Sequence, residues 1–203
     1  MNKMKYNISV IMSVYNDEKN IETAVESILN QSYKNFEFLI IDDYSADSTF
    51  EKLENYKNLD NRVKIFKNSK NIGLTKSLNI LLRNTSSELI ARQDSDDFSL
   101  PTRLEEQVNQ IKEKKLDVVY TRAINKQTKT KIPGLSFYLP NKLLLKYKNP
   151  YIHGSLMIKY EVLKSLNFYS EEFYYAQDYK LAWDLHKRNY KVGVNKKTLY
   201  VLN

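Results

Sequence analysis

The chain has 203 residues, 42% hydrophobic and 28% charged, which suits one globular domain with a sizeable core. It has no cysteine, which excludes disulfides and thiolate metal sites, and only four Gly and four Pro, which excludes a linker-rich chain. The net charge is +8, but the lysines are scattered along the sequence, so they read as a solvated surface and no nucleic-acid partner is expected.

Residues 8–14 are apolar nearly throughout, which predicts a strand buried on both faces of a parallel sheet. The run is too short to span a bilayer and meets Asp17 and Glu18 at once. A helix follows, with Ile21, Ala24, Val25, Ile28 and Leu29 on one face and Asn20 placed to cap it. Residues 36–41 form a second predicted strand ending in Asp42-Asp43, and Asp47 is placed to cap the helix carrying Phe50 and Leu53. A third strand at 63–66 precedes a helix with Leu74, Leu78, Leu81 and Leu82 on one face. A fourth, at 89–91, runs into Asp94-Ser95-Asp96-Asp97, and Pro101 opens a helix with Leu104, Val108 and Ile111 inward.

Such alternation of strand and helix defines an α/β domain. After a strand at 118–123 the rhythm breaks into a polar, basic stretch. A helix at 141–148, a strand at 155–158, a helix from about 179 to 187 and short strands near 192 and at 199–202 complete the expectation. One domain over residues 1–203 is predicted, its first half to about 123 binding nucleotide and its second half, from about 124, binding a further substrate.

Ligands of parallel sheets bind beyond the carboxyl ends of the strands, and two acidic clusters fall at two such ends. Crowded carboxylates repel, and a cation relieves that repulsion. Capping would use one acid per helix, with Asp97 a candidate for the helix after Pro101, and does not account for two clusters. The spacing Asp94-Ser95-Asp96 suits Mg²⁺ or Mn²⁺, which take one or two protein carboxylates and complete their shell with water and phosphate oxygens. The turn after the first strand lacks glycine, so a dinucleotide fingerprint is absent, as is a P-loop. His153 and His186 have no zinc-site spacing.

Val-Tyr-Asn at 14–16, Ile-Asp-Asp-Tyr-Ser at 41–45, Asn-Ile-Gly-Leu at 71–74, Ala-Arg-Gln-Asp-Ser-Asp-Asp at 91–97 and Gln-Asp at 177–178 stand in the order seen in family 2 glycosyltransferases. The chain resembles that family from about Ile8 onward. With Pro-x-Arg-Leu at 101–104 it looks like bacterial exopolysaccharide, capsule and lipopolysaccharide enzymes of the amylovoran-transferase type. The resemblance implies a GT-A fold, a Rossmann-like mixed and mainly parallel sheet flanked by helices, and inverting transfer from a UDP-sugar with Mn²⁺ or Mg²⁺. It also implies a glycan acceptor, lipid-linked at the cytosolic face of the cell membrane, where basic residues would favour anionic lipid.

Carried over by position, Tyr15 resembles the residue that packs on the nucleobase, and Ser13 stands beside it on the nucleotide side. Asp43 is similar to the acceptor of uracil N3–H, with Asp42 orienting the loop. Asp94 resembles the residue near ribose and metal, and Asp96 the metal ligand. Lys76 and Arg92 are placed toward the diphosphate or in solvent, His153 toward the acceptor, and Asp178 resembles the general base, with helix capping as its alternative role. Ser13 replaces a common Pro, Gln177 replaces the acid that often precedes the base, and the chain stops at Asn203 where relatives usually continue. An inactive or shortened nucleotide-sugar-binding relative is therefore the alternative reading, followed by a sugar-phosphate nucleotidyltransferase.

Overall fold

A computed structural model describes residues 7–173 and 176–203. The elements run β1 (Ile8–Val14), α1 (Ile21–Leu29), β2 (Phe36–Asp42), α2 (Thr49–Leu59), β3 (Val63–Lys67), α3 (Leu74–Arg83), β4 (Leu89–Arg92), β5 (Phe98–Ser99) and α4 (Arg103–Lys114). They continue with β6 (Val118–Asn125), β7 (Lys131–Ile132), α5 (Asn141–Leu144), β8 (Met157–Lys159), α6 (Tyr160–Ser165), α7 (Gln177–Lys187) and β9 (Val192–Leu202).

The strands form one mixed sheet in the order β3-β2-β1-β4-β8-β6-β9-β5, with β7 beside β6. The long ladders are parallel, and the antiparallel ones span only two or three residue pairs each. Every residue of β2 is buried, as an apolar run in a sheet covered on both faces requires. Its side chains alternate between two cores. Phe38 and Ile40 join Val25, Ile28, Leu104 and Val108 on one face, while Leu39 and Ile41 join Leu78, Leu82, Leu163 and Leu181 on the other. Each such side chain contributes roughly 1.5–3 kcal/mol by leaving water. Because β1→β2 runs to one side and β3→β4 crosses to the other, a crevice opens at the carboxyl ends of β1 and β4, where this topology places a ligand.

Several local expectations change. Asn20 does not cap α1: its amide donates to Asp17 Oδ1 at 2.6 Å instead. Asp47 does take an early N–H of its helix, that of Thr49 at 3.0 Å. Asp97 caps nothing, and its Oδ1 accepts from the backbone N–H of Asn203 at 3.0 Å. The segment expected as a strand at 155–158 starts with a 3₁₀ turn (His153–Ser155), because Ser155 Oγ bonds Ile152 C=O and turns the backbone back before β8. The two short terminal strands are one long β9, whose ladder with β6 slips near Thr121 and Arg122. No helix among the described residues is long and apolar enough to cross a membrane.

Candidate active site

The ends of β1 and β2 are tied together by side chains that accept loop N–H groups. Asn16 N–H donates to Ser45 Oγ at 2.9 Å, Ala46 N–H to Asn16 Oδ1 at 2.8 Å, and Asp17 N–H to Thr49 Oγ1 at 2.9 Å. Tyr15 and Tyr44 stand 51% and 54% exposed at this rim, so Tyr15 is not a core aromatic. Tyr44 is displayed from a left-handed backbone with φ 72°, a conformation costly for a bulky side chain. Ser13 is partly buried in β1, paired in register with Ile41.

Asp42 and Asp43 are both buried at the end of β2. Asp43 Oδ1 accepts from Asn68 Nδ2 at 2.7 Å and Ile72 N–H at 2.9 Å, and its Oδ2 accepts from Gly73 N–H at 2.8 Å. Asp43 therefore latches the loop that leads into α3, with Gly73 at φ 86° supplying a backbone turn that side-chain-bearing residues resist. Asp42 Oδ2 accepts from Ser45 N–H at 3.1 Å, while its Oδ1 is buried without a partner among the described residues. The expected division of labour places the loop function on Asp42, whereas the hydrogen bonds put it chiefly on Asp43.

At the end of β4 the chemistry rests on a buried cation. Arg92 is 2% exposed, so it is not a solvated side chain. Its Nη2 donates to Asp94 Oδ1 and its Nη1 to His153 Nδ1 at 2.8 Å. The same Nη1 stands 3.2 Å from His153 Nε2, which also meets Tyr169 Oη at 2.9 Å. Burial and the neighbouring guanidinium hold the His153 ring well below the ordinary imidazole range, so it stays neutral. A second buried guanidinium, Arg103, donates to the C=O groups of Arg92 and Gly154, both at 2.9 Å. Asp94 N–H donates to Tyr200 Oη at 3.1 Å.

Asp96 stands exposed beyond Asp94. Desolvation, with the charges of Asp94 and Asp17 close by, raises its carboxyl above the usual carboxylate range. Burial and the charges of Asp94 and Asp96 push Asp97 up to about 7. Among the described residues, no group of three or more His, Cys, Asp or Glu side chains is gathered to hold a metal on its own. Asp94 and Asp96 offer hard oxygen donors, crowded enough for a cation to relieve their repulsion. That set fits Mg²⁺ or Mn²⁺ completed by substrate phosphate and water.

A cleft of about 480 Å³ lies on the α3 and α7 side, lined among others by Gly73, Lys76, His153, Phe173 and Asp178. Asp178 sits inside the first turn of α7, not at its cap, which is Ala176. Its Oδ2 accepts from Asn149 Nδ2 at 2.8 Å. The structure thus gathers Lys76, His153 and Asp178 in one cleft, and of these His153 is connected through Arg92 to Asp94. Tyr15 and Asp96 lie outside that lining, at the neighbouring strand ends. Sequence reading missed Arg103, Tyr169, Tyr200 and Asn149. The Pro-x-Arg-Leu motif signalled Arg103, but nothing local marked the other three.

The fold and strand-end carboxylates define a GT-A glycosyltransferase domain. Residues 9–170 match the family model for glycosyl transferase family 2, and the chain belongs to that family. It is 33% identical over 165 residues to EpsE of Bacillus subtilis, covering 80% of this chain and 59% of EpsE. It is 32% identical over 194 residues to WfgD of Escherichia coli, named as UDP-Glc:alpha-D-GlcNAc-diphosphoundecaprenol beta-1,3-glucosyltransferase, covering 94% of this chain and 74% of WfgD. Among solved structures it is similar to S. aureus TarS 1-349 in complex with UDP, with a TM-score of 0.81, 24% identity and coverage of 96% of this chain and 60% of that one. It is also similar to the mannosyltransferase PcManGT of Pyrobaculum calidifontis in complex with GDP-Man and Mn2+, with a TM-score of 0.77, 20% identity and coverage of 97% and 56%. The chain spans about six tenths of the length of EpsE and of these two structures.

Proposed function

We propose that this chain transfers a sugar with inversion from a UDP-sugar to a hydroxyl of a glycan, lipid-linked at the cytosolic membrane face, in surface-polysaccharide assembly. The observation that carries the reading is the placement of Asp178. It is free of capping duty and lines the cleft together with His153, whose ring is bonded to Arg92, the partner of the Asp94 carboxylate. The name of WfgD, which includes a diphosphoundecaprenol-linked sugar, supports the acceptor class.

Tyr15 offers its exposed ring to the base, beside Ser13. Asp43 holds the loop on which the nucleoside rests, with Asp42 buried beside it at the end of β2. Arg92 orients Asp94 and, with Lys76, sets positive charge near the diphosphate. Asp96, with Asp94, would hold the divalent ion, which offsets charge on the leaving diphosphate. Asp178 takes the acceptor proton as that oxygen bonds to the anomeric carbon and the carbon–diphosphate bond breaks on the opposite face. His153, neutral, lines the acceptor side.

The test is a screen of UDP-sugars for binding and slow hydrolysis, with GDP- and TDP-sugars as controls. Selective turnover of one UDP-sugar supports the reading. Binding without any turnover would favour a nucleotide-sugar-binding relative, and no binding would remove the donor assignment.

A further inference from the structure

The positive charge of this protein is not spread evenly. Between Val118 and Tyr160 the sequence holds no Asp or Glu, yet it carries one arginine and seven lysines, a charge equal to the whole chain's net +8. The rest of the protein is therefore neutral. Within this stretch, Lys142, Lys146 and Lys148 are all exposed.

The same stretch displays large apolar side chains to solvent. Leu135 is 89% exposed, Tyr138 77% and Tyr147 82%, and Leu139 and Leu143 are about half exposed. The cause is local. Leu144 and Leu145 turn inward and anchor α5, which forces Leu143 and Tyr147, four residues apart, onto the outer side. The preceding 3₁₀ turn (Leu135–Tyr138) is held next to α5, with Lys148 Nζ donating to Ser136 Oγ at 3.4 Å. Arg122 lies over the Phe137 ring, 4.6 Å from its centroid. Leucines and tyrosines interleaved with lysines, in a stretch of chain without acids, match a bilayer interface, where apolar side chains enter the acyl boundary and lysines meet anionic headgroups. A nucleic acid would use the lysines but has no place for three exposed leucines.

We propose that the face formed by residues 135–148 docks this protein on an anionic phospholipid bilayer. This deepens the membrane-side acceptor reading above by naming the surface that makes the contact. The docking face also leads directly to the cleft: Asn149, the next residue, donates to Asp178, and Tyr179 Oη donates to the C=O of Leu145. A protein seated this way holds its candidate base close to the headgroup layer, where the hydroxyl of a lipid-linked sugar would be presented.

The experiment is co-sedimentation of the full chain with vesicles of phosphatidylcholine, with and without phosphatidylglycerol, over a salt series. Binding to the anionic vesicles, weakening as salt rises, and little binding to phosphatidylcholine alone is the expected result. The combined variant Lys142→Gln, Lys146→Gln, Lys148→Gln should bind roughly a hundredfold more weakly, at about fivefold per lysine. Leu135→Ser with Leu139→Ser and Leu143→Ser should also lose at least tenfold, and both variants should melt like the parent because the altered side chains are exposed. Parent-level binding by both variants overturns the proposal. So does equal binding to neutral and anionic vesicles, tight binding to a single-stranded RNA probe, or self-association abolished by the leucine variant. No donor or acceptor is present in the assay, so its failure leaves the transferase reading standing, and failure of the donor screen leaves the vesicle result intact.

Discussion

Replacing Asp43 by Asn separates loop latching from base reading. The carboxylate accepts three hydrogen bonds, two at Oδ1 from Asn68 and Ile72 and one at Oδ2 from Gly73. In Asp43→Asn, the amide oxygen can retain the first two, which leaves its NH₂ facing the Gly73 N–H, donor against donor. A hydrogen bond to a charged acceptor contributes about 1.5–3 kcal/mol, and a buried donor left unpaired adds to the loss. A net destabilisation of about 2–3 kcal/mol follows, or roughly 4–12 °C in Tm at 2–4 °C per kcal/mol for a chain of this size. Thermal unfolding reads the first effect, and amide hydrogen exchange at Ile72 and Gly73 reads its location. Because the damage passes through the loop, UDP and GDP should lose affinity alike. An unchanged Tm with a loss confined to UDP would refute the latch and return the direct contact with uracil to Asp43.

Three further outcomes follow from the same geometry. Asp178→Asn keeps an acceptor for Asn149 and disturbs no helix cap, so transfer should fall about 10²–10⁴-fold while Tm and UDP affinity hold; an early melting transition with normal turnover would return Asp178 to a structural role. His153 is held neutral in the fold, its pKa depressed below the unfolded value near 6.5, so stability is lost as pH falls through 6.5. His153→Gln retains an acceptor for Arg92 and should shrink the stability difference between pH 7 and pH 5 by about 2 kcal/mol, measured by denaturant unfolding. Gly154→Ala would drive a methyl group into the Tyr200 ring and Asp94 Oδ2, lowering stability by about 1–3 kcal/mol; a neutral effect would show that Asp94 is not packed against that turn.

The first half of the fold was legible because its strands are continuous apolar runs and its helices carry clear 3.6-residue faces. The acidic clusters were legible for a related reason: strand ends can be located, and a parallel sheet binds ligands there. Asn20 misled because the side chain of Asp17, three residues earlier, competes for its amide. The Arg92 network was hidden because its partners come from residues 153, 169 and 200, brought together only by β8 and β9 inserting beside β4 and β6. The burial of Arg92 could not be inferred from an Ala-Arg-Gln stretch that reads equally well as a solvated loop. Likewise, the lysines look scattered in the sequence, and only the exposed leucines beside them give Lys142, Lys146 and Lys148 a common face.

The central claim is that the strand-end carboxylates bind UDP through a divalent ion, and calorimetric titration of UDP with and without Mn²⁺ tests it most directly. The parent should bind UDP far more tightly when Mn²⁺ is present, and Asp96→Ala should lose that metal dependence while remaining folded. Equal UDP affinity and equal metal dependence in parent and variant would contradict the account.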